Sequence, residues 1–237
     1  MTTREFALAS FAVAVIGLVG APVAEAAAIR VFDPATNTAV VINDQDVLLD
    51  ESPAPGVVQH TGFAFANFMI DFELGITKPA NLITPTAPIM QLSVAASSNS
   101  ATTQQLVIDF SETDFGPSGN LVVTSATGVT LGNVVYQTFQ DTSNGLFGGT
   151  LLTTDSSGGP AITMSNGTTL SSTGFPYSLT QRWTITHGPG VVVTSVDPSL
   201  LVVSPFVAPV PDGGWAVGLL GFALMGVEGL RRKHTRL

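Results

Sequence analysis

The chain has 237 residues, with 17 acidic against 8 basic side chains for a formal charge of −9, and it contains no cysteine. The missing cysteine excludes disulfide frameworks, thiolate metal sites and cysteine nucleophiles, so an exported domain of this composition is held by burial and backbone ladders alone. The acidity excludes nucleic acid as a partner, because affinity for phosphates comes from Lys and Arg.

Arg4 precedes an apolar stretch over residues 6–20, and Ala24-Glu25-Ala26 has the small-x-small pattern of a secretory cleavage site. Residues 1–26 therefore read as a signal peptide addressed to the Sec translocon and signal peptidase, with the mature chain starting near Ala27. A retained N-terminal anchor is the alternative, and either reading puts the body outside the cytoplasm. Residues 27–204 suffice for one sandwich-sized domain. Between residues 27 and 212 there are three basic side chains (Arg30, Lys78, Arg182) against fourteen acidic ones, a formal charge of −11.

Period-two alternation recurs along this body. Phe68, Ile70, Phe72 and Leu74 share one face opposite Met69, Asp71 and Glu73. Leu106, Ile108 and Phe110 alternate with Val107 and Asp109. Tyr177, Leu179, Trp183 and Ile185 alternate with polar residues, and Gln181 is the one polar break on the inner side. Shorter strands are predicted over residues 38–43, 89–95, 121–125, 129–136, 149–154, 191–196 and 200–203. Turn chemistry separates them at residues 116–120, Ser143-Asn144-Gly145, residues 156–160, Asn166-Gly167 and Gly188-Pro189-Gly190. Residues 77–88, with three prolines, read as an extended connection, and residues 146–174, rich in Gly, Ser and Thr, as a hairpin with long loops. With no helix of useful length between them, these elements predict an all-β fold, an antiparallel β-sandwich of jelly-roll or Ig-like type.

Catalytic motifs are absent: there is no Gly-x-Ser-x-Gly elbow, no His-Glu-x-x-His pair and no glycine-rich phosphate loop. His60 and His187 are the only histidines of the body, and His187, beside Gly188-Pro189, reads as a turn histidine bonding to backbone. Two acidic clusters have the oxygen chemistry that Ca²⁺ takes. Asp44 and Asp46, with Asp50 and Glu51, form one; Asp109, Glu112 and Asp114 form the other. The first reads more simply as a solvated loop, since EF-hand spacing is missing, and the second as a β-bulge turn. Ca²⁺ is the only cofactor suggested. A glycosidase pair drawn from these acids would need an aromatic groove, which one Trp and two Tyr in the body do not provide.

Residues 205–214 form a Pro/Gly linker that ends in Val210-Pro211-Asp212-Gly213-Gly214. An apolar run over residues 215–230 follows, carrying Trp215, Leu219, Leu220, Phe222, Leu224 and Leu230. At about 1.5 Å per residue this run covers roughly 24 Å, a short membrane span. Its one charge, Glu228, faces Arg231 and Arg232 at helical spacing. Residues 231–237 supply a basic stop in Arg231, Arg232, Lys233 and Arg236, which stays cytoplasmic. A buried C-terminal helix is the alternative, but no polar face appears between Trp215 and Val227.

This tail resembles the PEP-CTERM class of bacterial sorting signals, in the variant with Val-Pro-Asp-Ser-Gly (VPDSG-CTERM) or Val-Pro-Asp-Gly-Gly. The resemblance implies that Val210, Pro211, Asp212, Gly213 and Gly214 are read by an exosortase, a membrane-embedded cysteine transpeptidase, while the apolar segment and basic end hold the motif at the membrane. The stretches Gly75-Ile76-Thr77-Lys78-Pro79, Ile89-Met90-Gln91-Leu92-Ser93-Val94, Asp109-Phe110-Ser111-Glu112-Thr113-Asp114-Phe115-Gly116 and Ser178-Leu179-Thr180-Gln181 resemble an uncharacterised exosortase-dependent surface-protein ectodomain. The expectation is a non-enzymatic protein, exported, membrane-anchored and then displayed at the cell surface or in an extracellular matrix, with a structural or adhesive body. A carbohydrate-binding module or polysaccharide hydrolase on the same scaffold is the alternative, and an exposed aromatic would favour it over a core Trp183.

Overall fold

A computed structural model describes residues 27–77, 89–116, 121–170 and 176–203. The expected signal peptide, sorting motif, apolar span and basic end lie outside these residues. Among the described residues no helix is long and apolar enough to cross a membrane. They form twelve strands: β1 (Ala27–Asp33), β2 (Thr38–Asn43), β3 (Val57–Phe65), β4 (Phe68–Ile76), β5 (Ile89–Ser100), β6 (Gln104–Phe115), β7 (Leu121–Thr130), β8 (Asn133–Asp141), β9 (Thr150–Ser157), β10 (Ala161–Thr169), β11 (Tyr177–His187) and β12 (Gly190–Val203).

All pairings are antiparallel, and the strands make two six-stranded sheets in the orders β2-β1-β6-β11-β8-β9 and β10-β7-β12-β5-β4-β3. The expected β-sandwich is present. Within it β5-β12-β7-β10 face β6-β11-β8-β9, which is jelly-roll order, and the hairpins β1–β2 and β3–β4 widen each sheet by two strands. The predicted alternation sets the inner faces. Ile29, Ile108, Phe110, Tyr136, Trp183 and Ile185 of the first sheet share one core with Ile70, Phe72, Leu92, Val122, Val196 and Leu200 of the second. That core is closed within residues 27–203, so a fragment of residues 27–212 keeps it whole.

Several predicted elements are corrected. β1 was not anticipated; it opens at the alanines Ala27 and Ala28, which with Ile29 are fully buried. β3 was not anticipated because bulges at His60 interrupt its alternation. Residues 129–136 are two strands, since Leu131-Gly132 carries the chain from the second sheet to the first. Residues 191–196 and 200–203 are one strand, β12, running through Pro198. Its ladder to β5 skips Asp197 and Pro198, where the proline has no N–H to give. Asn166-Gly167 lies inside β10, and β9 and β10 belong to different sheets, so the described residues of 146–170 form no hairpin within one sheet.

Two polar side chains cross the interior. Gln181 Nε2 donates to the Met90 carbonyl at 2.9 Å and its Oε1 accepts from Tyr136 Oη at 3.2 Å, which satisfies the polar break seen in the sequence. His187, expected to bond to a turn backbone, is instead fully buried. Its Nδ1 lies 2.7 Å from Ser98 Oγ and its Nε2 2.9 Å from Thr194 Oγ1, with Phe68 against the ring. The two hydroxyls belong to the second sheet and His187 to the first, so the ring ties the sheets together.

Burial holds the His187 pKa below its ordinary 6.5. As pH falls through 6.5 the unfolded chain takes up a proton that the folded chain does not, so stability declines with a slope of up to about 1.4 kcal/mol per pH unit until the folded pKa is passed. The melting temperature of the 27–212 fragment is expected to fall on acidification below about pH 6.5, and to fall less steeply in His187→Gln. Equal slopes in the two proteins would remove His187 as the source.

Candidate functional site

The β2–β3 loop uses its carboxylates to hold its own backbone. Asp50 accepts from the N–H groups of Gln45 (2.8 Å), Ser52 and Gln59 (both 3.0 Å), and Asp46 from that of Leu48 (2.9 Å). Glu51 accepts from the Thr61 N–H at 3.2 Å and lies 3.6 Å from His60 Nδ1. Asp44 is nearly buried and accepts from the Gly56 N–H at 2.7 Å. Desolvation raises its pKa first, and the neighbouring Asp50 charge adds to the shift. Asp46, Asp50 and Glu51 line an open depression of about 620 Å³, but among the described residues no three His, Asp or Glu side chains come together as a group that holds a metal ion.

The second acidic cluster is dispersed by the strand itself. Asp109 points to the outer face of the first sheet, while Glu112, three residues on, is fully buried on the side of Ile108 and Phe110. Asp114 sits at the expected β-bulge, with φ of 59° and exposed, and its carboxylate accepts from Asn144 Nδ2 at 2.7 Å. The three acids do not converge.

Asp109 instead organises an ion cluster that the sequence analysis missed. Arg30 on β1 and Arg182 on β11 flank it in one cross-strand row. Arg30 donates to Oδ2 from Nε at 2.9 Å and from Nη2 at 2.5 Å, and Arg182 donates from Nε to Oδ1 at 2.6 Å. Phe147 covers the Arg30 guanidinium and Phe139 that of Arg182, each at 4.8 Å. Phe147 belongs to the β8–β9 loop, which folds back over this face. Its N–H donates to Ser111 Oγ at 3.2 Å, and Ser178 Oγ donates to the Gly145 carbonyl at 2.5 Å. Asp109 is thereby sealed at 0% exposure, with Arg30 and Arg182 at 30% and 26%. The available signal was scarcity: two of only three cations in the body fall at outward positions of predicted or neighbouring strands.

On the outer face of the second sheet, Gln91, Ser93, Ser125, Thr127, Asp197 and Ser199 line a shallow depression of about 380 Å³ where the β5–β12 ladder skips Pro198. Asp197 is exposed, and Ser125 Oγ lies 2.7 Å from Ser199 Oγ. Trp183 is far from any such surface role. It is fully buried and stacked on Tyr136 at 4.5 Å, and Tyr177 is buried too. The sugar platform that would have favoured the carbohydrate alternative is not supplied by Trp183.

No protein-family model matches the chain, and no curated protein does. Among solved structures it is similar to TmCBM61 in complex with beta-1,4-galactotriose, at 8% identity, with 57% of this chain and 88% of that one covered and a TM-score of 0.25. It is also similar to the enzymatically active domain of bacteriophage CBA120 tailspike protein 4, at 13% identity, with 60% and 18% covered and a TM-score of 0.24. Scores this low bear on neither fold nor ligand.

Two outcomes are expected from these geometries. Asp109→Asn leaves two guanidiniums facing a neutral amide. Loss of one member of a buried pair costs about 3–5 kcal/mol, and partial solvation of both arginines lowers the expected loss to roughly 2–3 kcal/mol by urea unfolding; an unchanged midpoint would show that the cluster contributes nothing. Melting curves of the 27–212 fragment in millimolar Ca²⁺ and in chelator are expected to superpose. A bound ion at a hundred times Kd would add about 2.7 kcal/mol, so a clear rise with Ca²⁺, lost in Asp46→Asn, would make the β2–β3 loop a calcium site.

Proposed function

We propose that this chain is an exported, exosortase-sorted protein of the cell surface or extracellular matrix, with a non-enzymatic, structural or adhesive β-sandwich. The observation that carries the reading is the order of the tail: Val210-Pro211-Asp212-Gly213-Gly214, an apolar run and then Arg231, Arg232, Lys233 and Arg236. The fold supports it. Ala27 pairs with Glu112 and Val203 with Leu121, so both ends of the sandwich leave from the same side, and a body held by its C-terminal tail stands with its opposite side outward. The non-enzymatic reading is supported by how the polar groups are spent: Asp109 on two arginines, His187 on two hydroxyls and Gln181 on the second sheet. On this reading the chain meets the Sec translocon, signal peptidase, the membrane and the exosortase in turn.

Carbohydrate binding is the second reading. The depression around Asp197 favours it, since one exposed carboxylate among four hydroxyls and an amide matches a hydroxyl-rich ligand.

Mass spectrometry of the protein released from the surface of its native host is expected to show a chain that ends near Asp212. Recovery of intact Arg231 to Leu237 on that form would overturn the sorting proposal.

A further inference from the structure

Asp197-Pro198-Ser199 interrupts the regular pairing of β12 in the middle of its sheet. The ladder to β7 runs unbroken through Asp197, opposite Thr127, and Pro198, opposite Ala126. The ladder to β5 holds at Val196 with Val94 and at Ser199 with Gln91 and fails between them, which places Pro198 against Leu92. The N–H that proline lacks is therefore the one owed to β5, and the Leu92 carbonyl has lost its ladder donor. The Leu92 side chain is buried, so Leu92 lines the depression of about 380 Å³ through its backbone.

The side chains around this carbonyl leave acceptors open and spend their donors. Among the described residues the exposed Asp197 carboxylate has neither a hydrogen-bond nor an ion-pair partner. Ser93 Oγ donates to Glu73 Oε2 at 3.3 Å, and Ser125 and Ser199 share one of their two protons across 2.7 Å. Gln91 and Thr127 make no side-chain hydrogen bond among the described residues and keep both donors and acceptors.

Charge selects among ligands that bring donors. Residues 27–212 carry three basic against fourteen acidic side chains. The two basic ones among the described residues, Arg30 and Arg182, are both bound to Asp109 on the outer face of the first sheet. Nothing positive among the described residues offsets Asp197 and Glu73 on the second. A carboxylate- or phosphate-bearing ligand is repelled here, and a sugar hydroxyl brings one donor with two lone pairs of its own. A protonated primary amine brings three donors, no lone pair and a positive charge. The volume lies at the low end of the roughly 300–1,000 Å³ of small-molecule sites, which suits a single sugar unit.

We propose that this depression binds an amino-sugar unit with a free ammonium group, the amine meeting Asp197 and the Leu92 carbonyl and the ring hydroxyls meeting Gln91 and Thr127. The assignment names the ligand class of the carbohydrate reading above and rests on it. One exposed carboxylate holds one ammonium weakly. A single sugar therefore binds in the millimolar range, and a polymer gains where many copies of the protein stand on one surface. The acidity of the body adds an attraction for a polycation that salt screens.

Calorimetric titration of the 27–212 fragment with an oligomer of glucosamine, with the same oligomer fully N-acetylated, and with spermine tests it. The expected result is binding of the free-amine oligomer about tenfold or more tighter than of the acetylated one, weakened by salt. Asp197→Asn, at an exposed position and with its fold checked by circular dichroism, should abolish that preference. Pro198→Thr returns an N–H to the Leu92 carbonyl. It should weaken binding of the free-amine oligomer several-fold without lowering the melting temperature, which separates loss of the site from loss of the fold. Asp46→Asn, which removes an acid of the β2–β3 loop, should leave binding unchanged. Equal affinity for the two oligomers, unchanged binding in Asp197→Asn, or an equal loss in Asp46→Asn would overturn the proposal. Tight binding of the acetylated oligomer, lost in Gln91→Ala, would sink the ammonium assignment and leave the carbohydrate reading standing. Spermine bound where neither oligomer is would sink the carbohydrate reading, and this assignment with it.

Discussion

Closure of two six-stranded sheets over a single apolar interior is the condition on which the rest of this protein depends. With no cysteine to cross-link the chain, the inner faces must match closely enough for burial alone to hold them. Trp183, stacked on Tyr136, is the largest side chain buried in that interior, and the two polar side chains that cross it, Gln181 and His187, have specific partners. Gln181 and His187 each reach from the first sheet to the second, so sliding of one sheet over the other would leave buried donors and acceptors without partners. These ties favour one register over its neighbours.

The outer faces obey a different economy. Outside the interior the first sheet is covered by a loop clamped through Phe147, Ser111 and Ser178, under which Asp109 draws in both arginines. Among the described residues nothing covers the second sheet in this way, and its face presents mainly Ser, Thr, Val and Ala with the acids Asp71, Glu73 and Asp197. The two sides therefore differ in chemistry as well as in sequence order: one has spent its cations internally, and the other presents small polar and apolar groups to its surroundings.

Strands with strong alternation were legible from the amino-acid order. β4, β6 and β11 fall where Phe68, Leu106 and Tyr177 begin their patterns, and Gln181 was correctly placed on the inner side. Less regular strands were not. β10, an edge strand of Thr, Ser, Asn and Gly, has a loop's composition, and its pairing with β7 is a long-range fact that local propensity does not encode. Ala27 and Ala28 serve equally as small residues after a cleavage site and as tightly packed strand residues. The candidate sites were harder still. Asp109 and Glu112 are neighbours along the chain yet face opposite sides, because a spacing of three reverses direction on a strand. Arg30 and Arg182 meet Asp109 only through the pairing of β1 and β11 on either side of β6, and the carboxylates of the β2–β3 loop turn toward backbone N–H groups that no motif announces.

The position of β12 has a mechanical consequence. This strand is the last of the described ones, and it lies in the middle of its sheet, flanked by β5 and β7 along nearly its whole length. A pull applied at the C-terminal end runs along the strand axis. It loads both ladders in shear, so that many hydrogen bonds must fail together, whereas an edge strand peeled sideways would lose them one by one. The sandwich is thus gripped by the strand best placed to transmit tension into its core.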